Sequence, residues 1–191
     1  MRTKLIFVRH AESAGPFEPE HDRTRGLTER GQASTGRICE LMRETKVDYV
    51  VSSPFARAVL TVQGLADARG LQVICYEKLR ERKLHGSEHP LAAEDFLGSI
   101  QRSFGDKHLA LPGGESFMEA QQRALPVIKK LLQEHQGQTV VIGTHGNIMV
   151  MLLNAFDERY DFAFWQNTTM PDLYEAEFEG ESLVEVRRLW S

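Results

Sequence analysis

Residues Lys4-Leu5-Ile6-Phe7-Val8-Arg9-His10-Ala11-Glu12-Ser13 and Thr139-Val140-Val141-Ile142-Gly143-Thr144-His145-Gly146-Asn147 share one plan: a short apolar run breaks off at a polar end that carries a histidine. Neither run alternates with polar residues, which is how a strand covered on both faces of a parallel sheet reads. In open α/β sheets ligands bind beyond the carboxyl ends of the strands. Arg9, His10 and His145 are therefore expected to emerge together at one rim of one sheet.

Working outward, Asp48-Tyr49-Val50-Val51 reads as a second strand ending at Ser52-Ser53-Pro54, and Gln72-Val73-Ile74-Cys75-Tyr76 as a third. Thr28 is placed as a helix N-cap, with Ile38, Leu41 and Met42 at helical spacing up to about Thr45. After Phe55, the stripe Val59, Val62 and Ala66 predicts a second helix, with Gly70 where a C-terminal cap is wanted. Pro90 is placed to open a helix carrying Leu91, Phe96 and Ile100, and a further helix spans about Phe117 to His135, kinked or split by Pro126. Ile148 to Leu153 follows the His145 strand as a helix in which Met149 and Met151 are core packing. Leu173 to Phe178 and Leu183 to Val186 alternate apolar and acidic residues around Glu179-Gly180-Glu181-Ser182, the pattern of a hairpin with one wet face. The fold class expected is α/β, a three-layer α/β/α sandwich with a mostly parallel sheet and a C-terminal antiparallel hairpin at or near an edge. Residues 1–191 are read as one domain, with a loop and helix insertion at about 83–112 over the site.

A chain of 191 residues buries roughly 70 % of its unfolded surface and needs no staple. The net charge of −4 argues against nucleic-acid or anionic-membrane partners, which need a broad basic field. Cys39 and Cys75 are isolated in apolar surroundings and are expected as small buried core residues, compatible with a reducing, cytoplasmic location. The apolar stretch after Lys4 lasts only four residues before Arg9, too short for a secretory signal, and no segment has the length to cross a bilayer. Oligomeric state is open, although the free edge of the hairpin offers a pairing surface.

The strand ends and the loops after them present His10 with Arg9, then Arg57 in the first turn of a helix, Glu81, and His145. Arginine forks supply paired hydrogen bonds to phosphate oxygens, and a neutral imidazole is a competent nucleophile near neutral pH. His10 is the expected nucleophile. Arg9 and Arg57 would stabilise the transferred group, and Glu81 would protonate the leaving oxygen and then draw a proton from water. Metal-assisted hydrolysis is the enzymatic rival, but no His-x-x-x-His or Cys-x-x-Cys spacing supports a metal site, and a nucleoside triphosphate switch lacks its glycine-rich loop. A phospholigand-binding protein without turnover is the reading from another class. No cofactor and no metal are expected.

Six segments together resemble the histidine phosphatase superfamily, also called phosphoglycerate mutase-like proteins. Arg9-His10-Ala11-Glu12-Ser13 looks like its nucleophile signature, Leu27-Thr28-Glu29-Arg30-Gly31 like the entry to its first helix, and Ser52-Ser53-Pro54-Phe55-Ala56-Arg57-Ala58 like the segment of its second arginine. Leu79-Arg80-Glu81 is similar to its proton-donor segment, Gly113-Gly114-Glu115-Ser116 to a characteristic loop, and Thr144-His145-Gly146-Asn147 to its second histidine. The resemblance implies that His10 is phosphorylated while Arg9, Arg57, His145 and the Gly146 N–H hold the phosphoryl group, with Ser13 on the substrate side. Mutases of the family continue the first signature with tryptophan and asparagine, where this chain has Ala14-Gly15-Pro16. Proline offers neither a side-chain donor nor an N–H, so hydrolysis of small phosphomonoesters is favoured over mutase-type transfer. Phosphohistidine on a partner protein is a further substrate open to such a site. The leaving group is expected to meet loops 11–26 and 83–112, where Arg23, Arg25, Arg82, Lys83, His85 and His89 are either substrate contacts or surface.

Overall fold

A computed structural model describes residues 1–15 and 21–191. Its strands are β1 (Arg2–Arg9), β2 (Tyr49–Ser52), β3 (Val73–Cys75), β4 (Thr139–Thr144), β5 (Asp172–Glu179) and β6 (Ser182–Arg188). They form one six-stranded sheet in the order β3-β2-β4-β1-β5-β6. The first four are mutually parallel, and β5 and β6 join antiparallel, with β6 at the edge. The helices are α1 (Glu29–Leu41), α2 (Ala56–Ala68), α3 (Ala93–Gly105), α4 (Phe117–Glu134), α5 (Gly146–Asn154) and α6 (Phe162–Gln166).

Successive residues of a strand face opposite ways, so unbroken apolar runs feed two cores at once. Ile6, Val8, Val50 and Val141 pack with Ile38 and Met42 beneath α1 and with Val62 and Leu65 of α2. Leu5, Phe7, Val51, Val140 and Ile142 pack on the other side with Ala124, Ile128 and Leu131 of α4 and the wholly buried α5, including Met149 and Met151. The expected three layers and the edge hairpin are present.

Several local expectations are corrected. α4 runs through Pro126 as one helix: Pro126 and Gln122, four residues earlier, are both exposed, so the carbonyl that loses its partner faces water. Leu41 and Phe96 are exposed, and the buried stripes are Thr35 and Ile38 on α1 and Ser99, Ile100 and Ser103 on α3. α3 begins at Ala93, not at Pro90. β5 is covered on both faces over most of its length. Two of its acidic residues are buried and ion-paired, Glu175 with Lys4 at 3.2 Å and Arg187 at 2.8 Å, and Asp172 with Arg188 at 2.8 Å, while Glu177 is half-buried and Glu179 is exposed. Cys39 is only half-buried and Cys75, at the end of the edge strand β3, is exposed; both are free thiols. Pro16 and Pro19 lie outside the described residues, and with them the expected departure at Pro16.

Thr28 caps α1 as expected, its Oγ1 accepting from the Gly31 N–H at 3.0 Å. The same threonine donates its backbone N–H to the Glu12 carbonyl at 3.0 Å, which ties the helix start to the segment just after His10. Gly31 makes this seat possible, because a β-carbon there would strike the Glu12 carbonyl oxygen. Gly31→Ala is accordingly expected to lower unfolding stability by about 1–3 kcal/mol despite the better helix propensity of alanine, as read by urea denaturation.

Candidate active site

His10 leaves β1 with its backbone N–H donated to the Thr144 carbonyl at 2.9 Å, and His145 follows one residue later on β4 as the N-cap position of α5. The β1–β4 register, Arg9 opposite Thr144, therefore sets the two histidines side by side. Their rings meet edge to face with centroids 5.3 Å apart. Both are buried, His145 completely.

His10 Nδ1 lies 2.8 Å from the Ala11 carbonyl oxygen. A carbonyl only accepts, so Nδ1 carries the hydrogen and Nε2 of the neutral ring keeps its lone pair. Burial pulls the His10 pKa down to about 3, and the positive charges of Arg57, Arg9 and Arg25 act in the same direction, while the bond to Ala11 opposes them. His145 is pushed well below the usual imidazole range by its burial first, then by His10 and the same arginines. Its Nε2 lies 2.8 Å from Ser53 Oγ, which also accepts from the Phe55 N–H at 3.3 Å. With that hydroxyl proton turned to Nε2, the hydrogen of His145 resides on Nδ1, which has no hydrogen-bond partner among the described residues.

Arg9 is wedged between two elements. Its Nη1 donates to Thr168 Oγ1 at 2.6 Å, and a β-carbon on Gly146 would come within 2.9 Å of its Cζ, so a larger residue at the start of α5 would displace the guanidinium. Arg57, second residue of α2, is buried against the Phe55 ring, 5.0 Å from guanidinium carbon to ring centroid. Its Nη1 donates to the Asp22 backbone oxygen at 2.7 Å and to Asp22 Oδ1 at 3.0 Å. Arg25 shares that carboxylate at 3.0 Å and donates to Ser13 Oγ at 2.8 Å. Burial lowers the pKa of both Arg9 and Arg57, opposed by the nearby Glu81 carboxylate in each and by Asp22 at Arg57. Arg9 Nε and Arg57 Nε are buried without a partner among the described residues.

Glu81 follows a short 3-10 turn, Glu77–Leu79, and reaches the first-turn amides of α5, which have no partner within the helix. Oε1 accepts from the Ile148 N–H at 2.9 Å and the Arg82 N–H at 2.8 Å, and Oε2 from the Asn147 N–H at 3.1 Å. A carboxylate here satisfies helix donors and meets the positive end of the helix dipole. Glu81, His145 and Gly146 thus share one helix terminus.

The loop residues divide. Arg25 belongs to the site, whereas Arg82 is buried away from solvent, donating to the Glu115 carbonyl at 2.9 Å and to Ser103 Oγ at 2.7 Å. Its expected choice between substrate contact and exposed surface is replaced by a structural role, because a guanidinium in that interior must find acceptors. Arg23 forms an exposed fork with Glu77 at 2.9 and 2.7 Å. Lys83 and His89 are exposed, and His85 is half-buried with Nδ1 2.9 Å from the Gly86 carbonyl. No group of three or more His, Cys, Asp or Glu capable of holding a metal ion occurs among the described residues. Sequence reading did not single out Asp22, Ser53 or Thr168. Ser53 stood in a segment already quoted and Asp22 within loop 11–26, but Thr168 follows α6 in a stretch without periodicity.

The family model of the histidine phosphatase superfamily (branch 1) matches residues 5–188. Phosphoserine phosphatase 1 of Hydrogenobacter thermophilus is 28 % identical over 155 residues, covering 74 % of this chain and 70 % of that protein. The 2,3-bisphosphoglycerate-dependent phosphoglycerate mutase of Brucella anthropi is 28 % identical over 175 residues, 82 % of each chain. Among solved structures, mycobacterial glucosyl-3-phosphoglycerate phosphatase superposes with a TM-score of 0.77 at 21 % identity, covering 98 % of this chain and 97 % of its own, a likeness of fold. With a match spanning nearly the whole sheet and both histidine-bearing strand ends, the chain belongs to the histidine phosphatase superfamily, branch 1.

Proposed function

We propose that this protein is a metal-independent phosphatase that hydrolyses small phosphomonoesters through a phosphohistidine on His10. The observation that carries the reading is the convergence of two buried imidazoles, 5.3 Å apart, with buried guanidiniums whose Nε groups, like His145 Nδ1, have no protein partner among the described residues. Unpaired buried donors are costly unless an acceptor arrives, and phosphoryl oxygens are acceptors. Family membership and the phosphatases among its relatives support the same chemistry.

In the first step Glu81 takes part in its carboxylic acid form: His10 Nε2 attacks phosphorus, the P–O ester bond breaks, and the departing oxygen takes the carboxyl proton, leaving Glu81 as the carboxylate. In the second, water attacks phosphorus, the P–N bond breaks, Glu81 takes the water proton, and inorganic phosphate leaves. Arg9, Arg57, the His145 Nδ1–H and the Gly146 N–H bind the nonbridging oxygens and stabilise the charge that spreads over them. His145 acts as a neutral donor, in keeping with its depressed pKa. Ser13 stands on the substrate side beside Arg25. The 83–112 segment, which carries α3, is taken as the insertion that meets the leaving group. Two free thiols agree with a cytoplasmic location, and among the described residues no helix is long and apolar enough to cross a membrane.

Mutase-type transfer is the second reading, carried by the phosphoglycerate mutases among the relatives. Ala14-Gly15-Pro16 in place of the tryptophan and asparagine of mutases favours hydrolysis.

In chelator-treated buffer the wild type is expected to hydrolyse an aryl phosphate, and acid-labile, base-stable phosphohistidine is trapped on quenching. His10→Ala keeps its circular dichroism but loses roughly 10³-fold or more in kcat and forms no phosphoenzyme; a variant as active as wild type removes the nucleophile assignment. Supplied with phosphoglycerate and its bisphosphate primer, the enzyme accumulates inorganic phosphate and not the isomer. In the ligand-free protein, nitrogen NMR shows His10 neutral and protonated at Nδ1 from about pH 8 down to about pH 5. Because the unfolded histidine takes its proton near 6.5 and the folded one only at about 3, stability falls as pH drops through that window, and His10→Ala shallows the slope of Tm against pH.

A further inference from the structure

The guanidinium of Arg57 is paired with an anion of the chain's own. Its two terminal nitrogens contact Asp22 at Oδ1 (3.0 Å), at Oδ2 (3.5 Å) and at the backbone oxygen (2.7 Å), and Arg25 grips Oδ1 from the other side at 3.0 Å. Arg57 is almost inaccessible, with 4 % of its side chain exposed, whereas Asp22 retains 19 %. We propose that Asp22 is a tethered competitor of the phosphoryl group: its carboxylate offsets the charge of Arg57 and Arg25, weakens the hold on phosphate, and lets the product leave. The proposal rests on the phosphatase reading above and names the residue that sets its affinity.

Three buried or half-buried arginines around two neutral rings make a strong trap for a dianion, since charge-assisted forks are about twice as strong as neutral hydrogen bonds. Without Asp22 the cluster would carry one more net positive charge, and inorganic phosphate would be held longer and act as an inhibitor. A core acid could not serve, because it could not move. Asp22 instead sits on a surface turn closed by the Thr24 and Arg25 N–H groups on the His21 carbonyl, at 3.1 and 3.0 Å. Its departure disrupts little of the fold. The arrangement also relieves the mutual repulsion of Arg25 and Arg57, which is among the influences on the Arg57 pKa.

A purely positional Asp22 predicts the opposite sign. If the carboxylate served only to aim Arg57, its loss would weaken phosphate binding. The test is isothermal titration of the full chain with inorganic phosphate, comparing wild type with Asp22→Asn, which keeps the shape and one acceptor oxygen, and with Asp22→Ala, which removes both. Removal of one nearby charge is expected to tighten phosphate binding about tenfold in both variants, equivalent to 1.4 kcal/mol, and to lower KM in the same direction. An unchanged or weaker Kd in the folded variants, confirmed by their Tm, overturns the proposal, as does the absence of phosphate binding in all three proteins. The titration needs no turnover: a wild type that binds phosphate but hydrolyses no ester defeats the phosphatase reading alone, and an active wild type with no change on Asp22→Asn defeats only the role given to Asp22.

Discussion

The backbone hydrogen bond from His10 to the Thr144 carbonyl, 2.9 Å long, extends the parallel ladder of β1 and β4 one step beyond the last paired residues. Everything at the site depends on that register. Because side chains alternate between faces, a slip of one residue would send Ile6 and Val8 to the opposite core and carry Arg9 and His10 away from His145. The register is held because both faces of both strands are filled, one by α1 and α2 and the other by α4 and α5. Hydrophobic burial thus decides the position of the polar groups, which contribute little to selecting it themselves.

Once there, those groups hold each other in unusual states. Two imidazoles are kept neutral by burial and by surrounding guanidiniums, and the guanidiniums stay charged because the intrinsic guanidinium pKa is so high. Glu81 and Asp22 supply the compensating negative charge, one at the start of α5 and one at the surface turn. The tautomer of each ring is set by a neutral neighbour, the Ala11 carbonyl for His10 and the Ser53 hydroxyl for His145. One ring nitrogen with a free lone pair and another bearing a hydrogen are thereby presented without any ionised histidine.

Much of this was legible in the sequence. Doubly buried strands announce themselves as unbroken apolar runs, so β1, β2 and β4 and the strand ends bearing His10, Arg9 and His145 were readable, as was Thr28 as a cap. Most of the missed features share a cause: they arise where a residue finds a partner far along the chain. Glu175 alternates with apolar neighbours like a solvent-facing residue, yet Lys4 and Arg187 neutralise it inside. Arg82 looks like surface charge until Ser103 and Glu115 meet it. Pro126 breaks a helix in the abstract, but the orphaned carbonyl falls on the wet side of α4. Glu81 lies 66 residues from the Asn147 amide it accepts, and Thr168 lies 159 from Arg9. No local pattern encodes such meetings.

The two margins of the sheet are unlike each other and equally uninviting to another chain. β3 is only three residues long, and β6 turns Glu185, Arg187 and Arg188 to water. Short or charged borders discourage strand addition from a neighbouring molecule. Arg187 and Arg188 also reach back to neutralise Glu175 and Asp172, so the same pair guards against aggregation and permits acid residues in the interior. An engineer who trims surface charge at the C-terminus to encourage crystal growth would expose a sticky border and strand two interior carboxylates in one move.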